Sequence, residues 1–443
     1  MKQLVRRHLG LIIFLIIALI FPLSLSNQVK LNMRVIVTGI AIDKVGDEFE
    51  ITAQIVNASP GSESPGQSAE LNFLTDKGET VSKALANLMY KTGKVSAFSH
   101  TSFIILGNDI LKEDATKCLD VFMRDKIIKN SALLLIAKDK AKDELKKTKN
   151  LELSVGLGLQ KVYIFKQQES DGLMLTILGF LNKSKMYGKT AVVSQIELEN
   201  NEKSDDSAEN SSKNTSSSSS GSSSLDESGS SDSQGNSGSS SQSNGEESSG
   251  SSSGGSGSSG EQKNNFSFKA GATLKCFVDG KYVLDLSEED DVLGYMLSAN
   301  RTKTTYIEIE DVEIERFEDA RFSISINDKD IYKKIRFENG TPCLDMKIVV
   351  NNAQINDILA SEIVTDISKD EFEKIKDKLE KSISKMVSST FEKTKSVGAD
   401  IFRAYEKAYK FNYNDLNKYK ISEDDFIKKL RLNLEICITK LEY

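Results

Sequence analysis

Hydrophobic and polar positions along this chain follow two rhythms, one of period two and one near three and a half, and they change over several times. From Val35 to Ile42 β-branched residues crowd together. Gly46-Asp47 supplies a turn, and Phe49, Ile51, Ala53 and Ile55 then alternate with polar partners, which predicts a pair of strands over 35–57. A polar stretch holding Pro60, Gly61, Pro65 and Gly66 predicts a loop. Val81, Ala84, Leu85 and Leu88 return at helical spacing. A strand (Ser102 to Leu106), a helix (Leu111 to Arg124), a strand (Ala132 to Ala137) and a Lys-rich helix (Lys140 to Lys147) follow. Strands interleaved with helices predict an α/β unit over 34–150.

The last third carries the clearest pattern. Ile307 and Ile309, then Phe322, Ile324 and Ile326, then Leu344, Met346, Ile348 and Val350 alternate as strands. A long amphipathic helix presents Phe372, Ile375, Leu379, Ile383, Met386, Val387 and Phe391 at spacings of three and four, with Ser368 and Glu371 as a capping box at its start. Leu432, Leu434, Ile436 and Ile438 make a final strand. The economical packing lays the helix's apolar stripe on a sheet that includes this strand, an α+β domain over 301–443.

Between these regions, 204–260 collapses to Ser, Gly, Asp, Glu, Asn and Gln, too few apolar groups to repay ordering, which predicts disorder. It is either an interdomain linker or a loop expanded within one domain. Its flanks favour the loop: Ala191 to Leu198 and Phe266 to Val278 both read as strands, the second running into an Asp279-Gly280 hairpin turn. The expected architecture is therefore α+β and multi-domain, with small mixed sheets each packed with helices. A middle domain over 160–300 is interrupted by the insert, and the C-terminal domain sets one long amphipathic helix on a sheet.

At the amino terminus, Lys2, Arg6, Arg7 and His8 precede an apolar run from Leu9 to Leu23 whose centre is Leu11, Ile12, Ile13, Phe14, Leu15, Ile16 and Ile17. This is the charged start and apolar body of an export signal, here 1–26. Ser24-Leu25-Ser26 fits a cleavage site; an uncleaved segment would serve as an anchor, with Arg6 and Arg7 on the cytoplasmic side. Either outcome puts the bulk of the chain outside the cytoplasm. The net charge of −7 and the absence of a polybasic run argue against nucleic acid as a partner.

Several stretches resemble the Ger(x)C proteins, the C subunits of nutrient germinant receptors in spores. Gly39-Ile40-Ala41-Ile42-Asp43-Lys44 is similar to their early G-I-x-I-D-K strand, and Ser99-His100 with Phe103-Ile104-Ile105-Leu106-Gly107 to their S-H and ILG segment. Phe122-Met123-Arg124-Asp125, Leu133 to Ala137 and Ala141 to Leu145 follow in the family's order. Gly188-Lys189-Thr190, Gly271-Ala272, Leu293-Gly294-Tyr295 and Asp400-Ile401-Phe402 come after them. The resemblance spans 34–443 apart from the insert. It departs at Leu25-Ser26-Asn27-Gln28, where family members carry a lipid-bearing Cys, and in the lack of any Trp.

Enzymatic chemistry finds little support. His100 is the one histidine outside the amino-terminal segment and reads as structural. Ser382-x-x-Lys385, Lys91-Thr92-Gly93 and Ser298-Ala299-Asn300 match penicillin-binding motifs but in reversed order, so they read as coincidence. Glu288-Glu289-Asp290-Asp291 lacks the spacing of a calcium loop and reads as a charged turn. Cys118 and Cys276 read as small buried hydrophobes, Cys343 and Cys437 pair only if the fold unites them, and no C-x-x-C suggests zinc. No cofactor or metal is expected. What the resemblance implies is a non-enzymatic extracytoplasmic receptor subunit at the outer face of the inner spore membrane. It would contact membrane A and B subunits, with Arg124, Asp125, Asp400, Ile401 and Phe402 as candidate contact residues. A generic surface-binding module is the alternative, and an envelope hydrolase would need a nucleophile and base the sequence does not offer.

Overall fold

β1 (Arg34–Val45) and β2 (Glu48–Val56) form the expected hairpin, turning through Gly46 at φ +63°. The computed structural model describes residues 34–56, 71–124, 128–148, 175–200, 266–299, 304–314, 320–360 and 366–443. The amino-terminal segment, the Pro/Gly loop after β2, Asp125 and the Ser-rich insert lie outside them.

The hairpin belongs to a nine-stranded mixed sheet. β3 (Leu71–Gly78) pairs antiparallel with β2, and β4 (Val95–Ala97) runs parallel to the start of β1. β5 (Phe103–Leu106) lies parallel to β1, and β6 (Leu133–Ala137) parallel to β5. β5 and β6 are buried at every position because helices cover both faces, the condition under which a strand reads as an unbroken apolar run. On one face, α1 (Val81–Thr92), α2 (Ala115–Arg124) and α4 (Ile177–Lys185) pack Leu85, Leu88, Leu119, Phe122 and Phe180 against Ile42, Leu106 and Ile136. On the other, α3 (Ala141–Lys147) sets Ala141 and Leu145 against Phe103, Ile105 and Leu135.

β7 (Thr190–Asn200) joins β6 in parallel through Ile136↔Gln195 and Ala137↔Ile196. The stretches expected as an N-terminal and a middle domain thus contribute strands to a single sheet. β8 (Phe266–Val278) pairs antiparallel with β7 from Thr190↔Val278 to Asn200↔Phe266, so the Ser-rich insert departs from and returns to neighbouring strands. The hairpin to β9 (Lys281–Leu286) turns through Asp279 and Gly280, both at positive φ (48° and 79°), as an Asp-Gly turn requires.

The second sheet runs β10 (Thr305–Ile309), β11 (Arg321–Glu338), β12 (Thr341–Leu359), β13 (Arg431–Ile438), with β14 (Leu441–Glu442) beside the far end of β12. α6 (Lys369–Ser396) carries the predicted capping box at Ser368 and Glu371. Its Ile375, Leu379, Ile383, Val387 and Phe391 are buried in the core over this sheet. Burying each such side chain stabilises the fold by about 1.5–3 kcal/mol, and the stripe sets which face of the helix lies on the sheet. Phe372, at the stripe's first turn, is partly buried.

α5 (Glu289–Ser298) follows the first sheet and docks on α6. At Gly294 the approach is so close that an added Cβ would lie 2.4 Å from the Met386 carbonyl oxygen. Two members of the acidic run, Glu288 and Asp291, are spent on the same contact: Lys393 Nζ meets Glu288 at 2.7 Å and the buried Asp291 at 2.6 Å. All four cysteines are free. Cys118 and Cys276 are buried, and burial pushes their thiols up to about 11 and about 12, which makes them poor nucleophiles at neutral pH. Cys343 lies opposite Arg431 and Cys437 opposite Val349, so the register keeps these two apart.

Candidate functional site at the joint between the sheets

Asp400, Ile401 and Phe402 occupy the turn between α6 and α7 (Ala404–Phe411). Asp400 is buried, at 5% exposure. Its carboxylate accepts the backbone N–H groups of Ala404 and Tyr405, both at 2.8 Å, and so caps α7, where the orphan donors and the helix dipole favour negative charge. Its own N–H donates to Thr190 Oγ1 at 2.9 Å, and that hydroxyl donates to the Gly188 carbonyl at 2.6 Å. Gly188 adopts φ +87°, a conformation that favours glycine, and its N–H donates to Glu423 at 2.6 Å. A Cβ there would stand 3.1 Å from Asp400 Oδ2. Glu423 opens α9 (Glu423–Lys429), which follows the short α8 (Tyr413–Tyr419). Two fragments more than two hundred residues apart in the chain, Gly188-Lys189-Thr190 and Asp400-Ile401-Phe402, thus form one hydrogen-bonded joint between the start of β7 and the second sheet.

Lys333, from β11, reaches into the same joint. Its ammonium donates to the carbonyls of Ser298 (3.1 Å) and Phe402 (3.3 Å) and lies 5.6 Å from the Phe402 ring centroid. Burial pushes Lys333 down to about 8; Asp400 opposes that shift, and the cations of Lys407 and Arg403 add to it. Burial likewise pushes Asp400 up to about 6, against the two capping N–H groups and Lys333. Phe402 is 3% exposed and meets Phe391 edge-on at 5.6 Å. Ile401 packs against both the core of the second sheet and the cluster of Val192, Leu274, Leu286 and Met296 under β7 and β8.

The same device recurs inside the first sheet. Asp43, ending the Gly39-to-Asp43 stretch, is buried and accepts the N–H groups of Ala141 (2.7 Å) and Lys142 (2.9 Å), capping α3. Gly107 leaves the room: a Cβ there would lie 2.2 Å from Asp43 Oδ1. Burial raises the Asp43 carboxyl above its usual range, against those two N–H groups.

Of the residues singled out from sequence, Asp400 and Phe402 are therefore buried within this chain and Ile401 is partly so. Arg124 is exposed at the end of α2, paired with Asp120 one turn back, and Asp125 lies outside the described residues. His100 is exposed in a 3-10 turn, Phe98–His100. Lys91-Thr92-Gly93 closes α1, whereas Ser382 sits mid-way along α6, on different elements. Among the described residues no group of three His, Cys, Asp or Glu side chains is placed to hold a metal ion, and no helix is long and apolar enough to cross a membrane. Sequence reading missed Lys333, Thr190 and Glu423. The signal for Thr190 was its place in the Gly188-Lys189-Thr190 fragment, but a lysine within the Lys- and Asp-rich β11 carries none.

Beside the joint lies a cavity of about 430 Å³. Its rim carries Tyr187 stacked on Tyr409 (centroids 3.8 Å apart) and the 74% exposed Phe411.

Two family models match the chain in order: the spore germination protein N-terminal domain over 27–198, and the spore germination B3/GerAC-like C-terminal domain over 274–439. No curated protein matches the chain. A crystal structure of the GerBC protein is similar, with 14% identity, a TM-score of 0.48, and coverage of 91% of this chain and 97% of that one. Because the matched segments meet on the joint, one contributing Gly188 and Thr190 and the other Lys333 and Asp400, and together take in most of the chain, the protein belongs to the GerAC-like, or Ger(x)C, family of spore germination proteins.

Proposed function

We propose that this chain is the C subunit of a nutrient germinant receptor, a non-enzymatic component that works by contact with membrane A and B subunits. The observation that carries this reading is the ordered pair of family matches across 27–439. The chemistry at the joint agrees with it. Asp400 and Lys333, the buried acid and base, are engaged with backbone groups.

The residues 11–17 lie in the apolar segment that would hold the chain at the outer face of the inner spore membrane. Tethering there raises the effective concentration for docking without demanding high intrinsic affinity. Arg124, on the exposed end of α2, remains a candidate contact, with Asp125 next to it. Asp400, Ile401 and Phe402 would act at one remove, by fixing α7 and the exposed Tyr187, Phe411 and Tyr413 around it.

Affinity purification of the tagged chain from detergent-solubilised spore membranes tests the reading. The expected outcome is co-purification of two polytopic membrane subunits. Recovery of the chain alone, or from the soluble fraction, would count against it.

A further inference from the structure

The cavity beside the joint has a charge imbalance that its own side chains leave unmet. Besides Lys183, which has an interaction of its own, four cations line it, Lys333, Arg403, Lys407 and Lys410, against two carboxylates, Asp400 and Glu406. Glu406 is taken by Arg403 at 2.6 Å and Lys410 at 2.6 Å, and both Asp400 oxygens are held by backbone N–H groups. Lys333 spends two of its three N–H donors on carbonyls. Lys407 meets no carboxylate among the described residues and lies 5.8 Å from the Phe411 ring centroid.

Lys333, Lys407 and Arg403 repel one another closely enough that the latter two depress the affinity of Lys333 for its proton. An anion between them would reverse that repulsion. Met186, Tyr295, Ile331 and Phe411 give the cavity an apolar and aromatic side beside the polar Thr190 and Ser298, and the volume of about 430 Å³ falls in the ordinary range for small-molecule sites. A bare inorganic ion would leave that side unused.

We propose that this cavity is a binding site for a small organic carboxylate, its anionic end held between Lys333 and Lys407 and its apolar body lying along Ile331, Tyr295 and Phe411. The proposal does not depend on the receptor reading, since it concerns the purified chain.

Titration calorimetry on the full chain in mild detergent tests it, with phenylacetate as probe and phenylacetamide and inorganic phosphate as comparisons. Phenylacetate should bind saturably at one site, at least tenfold more tightly than the neutral amide and than phosphate. Lys407→Gln, which breaks no ion pair, should weaken phenylacetate at least fivefold, Lys407→Arg should restore most of the affinity, and Lys112→Gln, on a remote 3-10 turn, should leave it unchanged. Unchanged far-ultraviolet circular dichroism in the Lys407 variants establishes that they fold. Four results would each overturn the proposal: no saturable heat at millimolar phenylacetate, phosphate binding as tightly as phenylacetate, amide binding as tightly as acid, or binding indifferent to Lys407→Gln.

Discussion

Phe402→Ala should destabilise the isolated chain by about 3–5 kcal/mol, the range for truncating a buried phenylalanine. Three contacts are lost together: the edge-on packing against Phe391 at 5.6 Å, the face presented to the Lys333 ammonium, and the filling of a core site that is 3% exposed. Urea unfolding checks this, and the midpoint should fall with little change in slope. The measurement also separates two roles for the residue. A side chain reserved for a partner would leave the free chain's stability unchanged, whereas one that fixes the joint shifts it by several kcal/mol before any partner is present.

Asp400 should make the chain lose stability as pH rises from about 4 to about 6. The sign follows from its shift. Burial raises the folded-state value to about 6 from an ordinary 3.8, so within this window the folded chain holds a proton that the unfolded chain has released. Below the window both states are protonated and the group's contribution is fully present. Above it both are ionised, and the contribution has been lost. At about 1.4 kcal/mol per pKa unit, the difference amounts to about 3 kcal/mol.

Asp400→Asn cannot titrate, so stability plotted against pH for the natural chain minus the variant should fall across that window and flatten above it. Asp43, whose carboxyl is also raised by burial, contributes in the same direction in both proteins and cancels in the difference. A flat difference curve would mean that the carboxylate's two N–H bonds outweigh its desolvation. Lys333, pushed down to about 8, acts at the other end of the scale: its desolvation penalty is present below that value and is relieved as pH rises toward the ordinary lysine range.

Local elements were largely legible from the chain's own pattern because each is set by neighbours in sequence. The stripe from Ile375 to Phe391 is buried as its spacing predicts, and the capping box at Ser368 and Glu371 forms with both hydrogen bonds in place. The strands flanking the Ser-rich insert do pair, two alternating segments that the insert leaves and rejoins, and the second of them turns through Asp279-Gly280 into β9. What was hidden depends on contacts between distant segments. Parallel pairing of β6 with β7 rests on two residue pairs, Ile136↔Gln195 and Ala137↔Ile196, and nothing local in either strand specifies it. The Asn339-Gly340 turn is a local hairpin signal between β11 and β12, and both residues take positive φ there (51° and 86°).

The site shows the same division. Asp400-Ile401-Phe402 stands out as a fragment, yet the reason for it is across the fold. An aspartate, a threonine hydroxyl and a glycine with φ +87° have to meet, and Lys333 has to arrive from a third element. Reading exposed function into such a fragment is natural from sequence, because Asp is usually at the surface. Burial explains the motif differently, as two carboxylate caps at Asp43 and Asp400, each roofed by a glycine, that set one helix on the first sheet and one at the joint.

Deletion of the gene, followed by nutrient-triggered germination of the resulting spores, bears most directly on the role assigned to this chain. Failure or marked slowing with at least one nutrient, restored by an intact copy, is the expected result. Spores that germinate normally in every nutrient tested would contradict it.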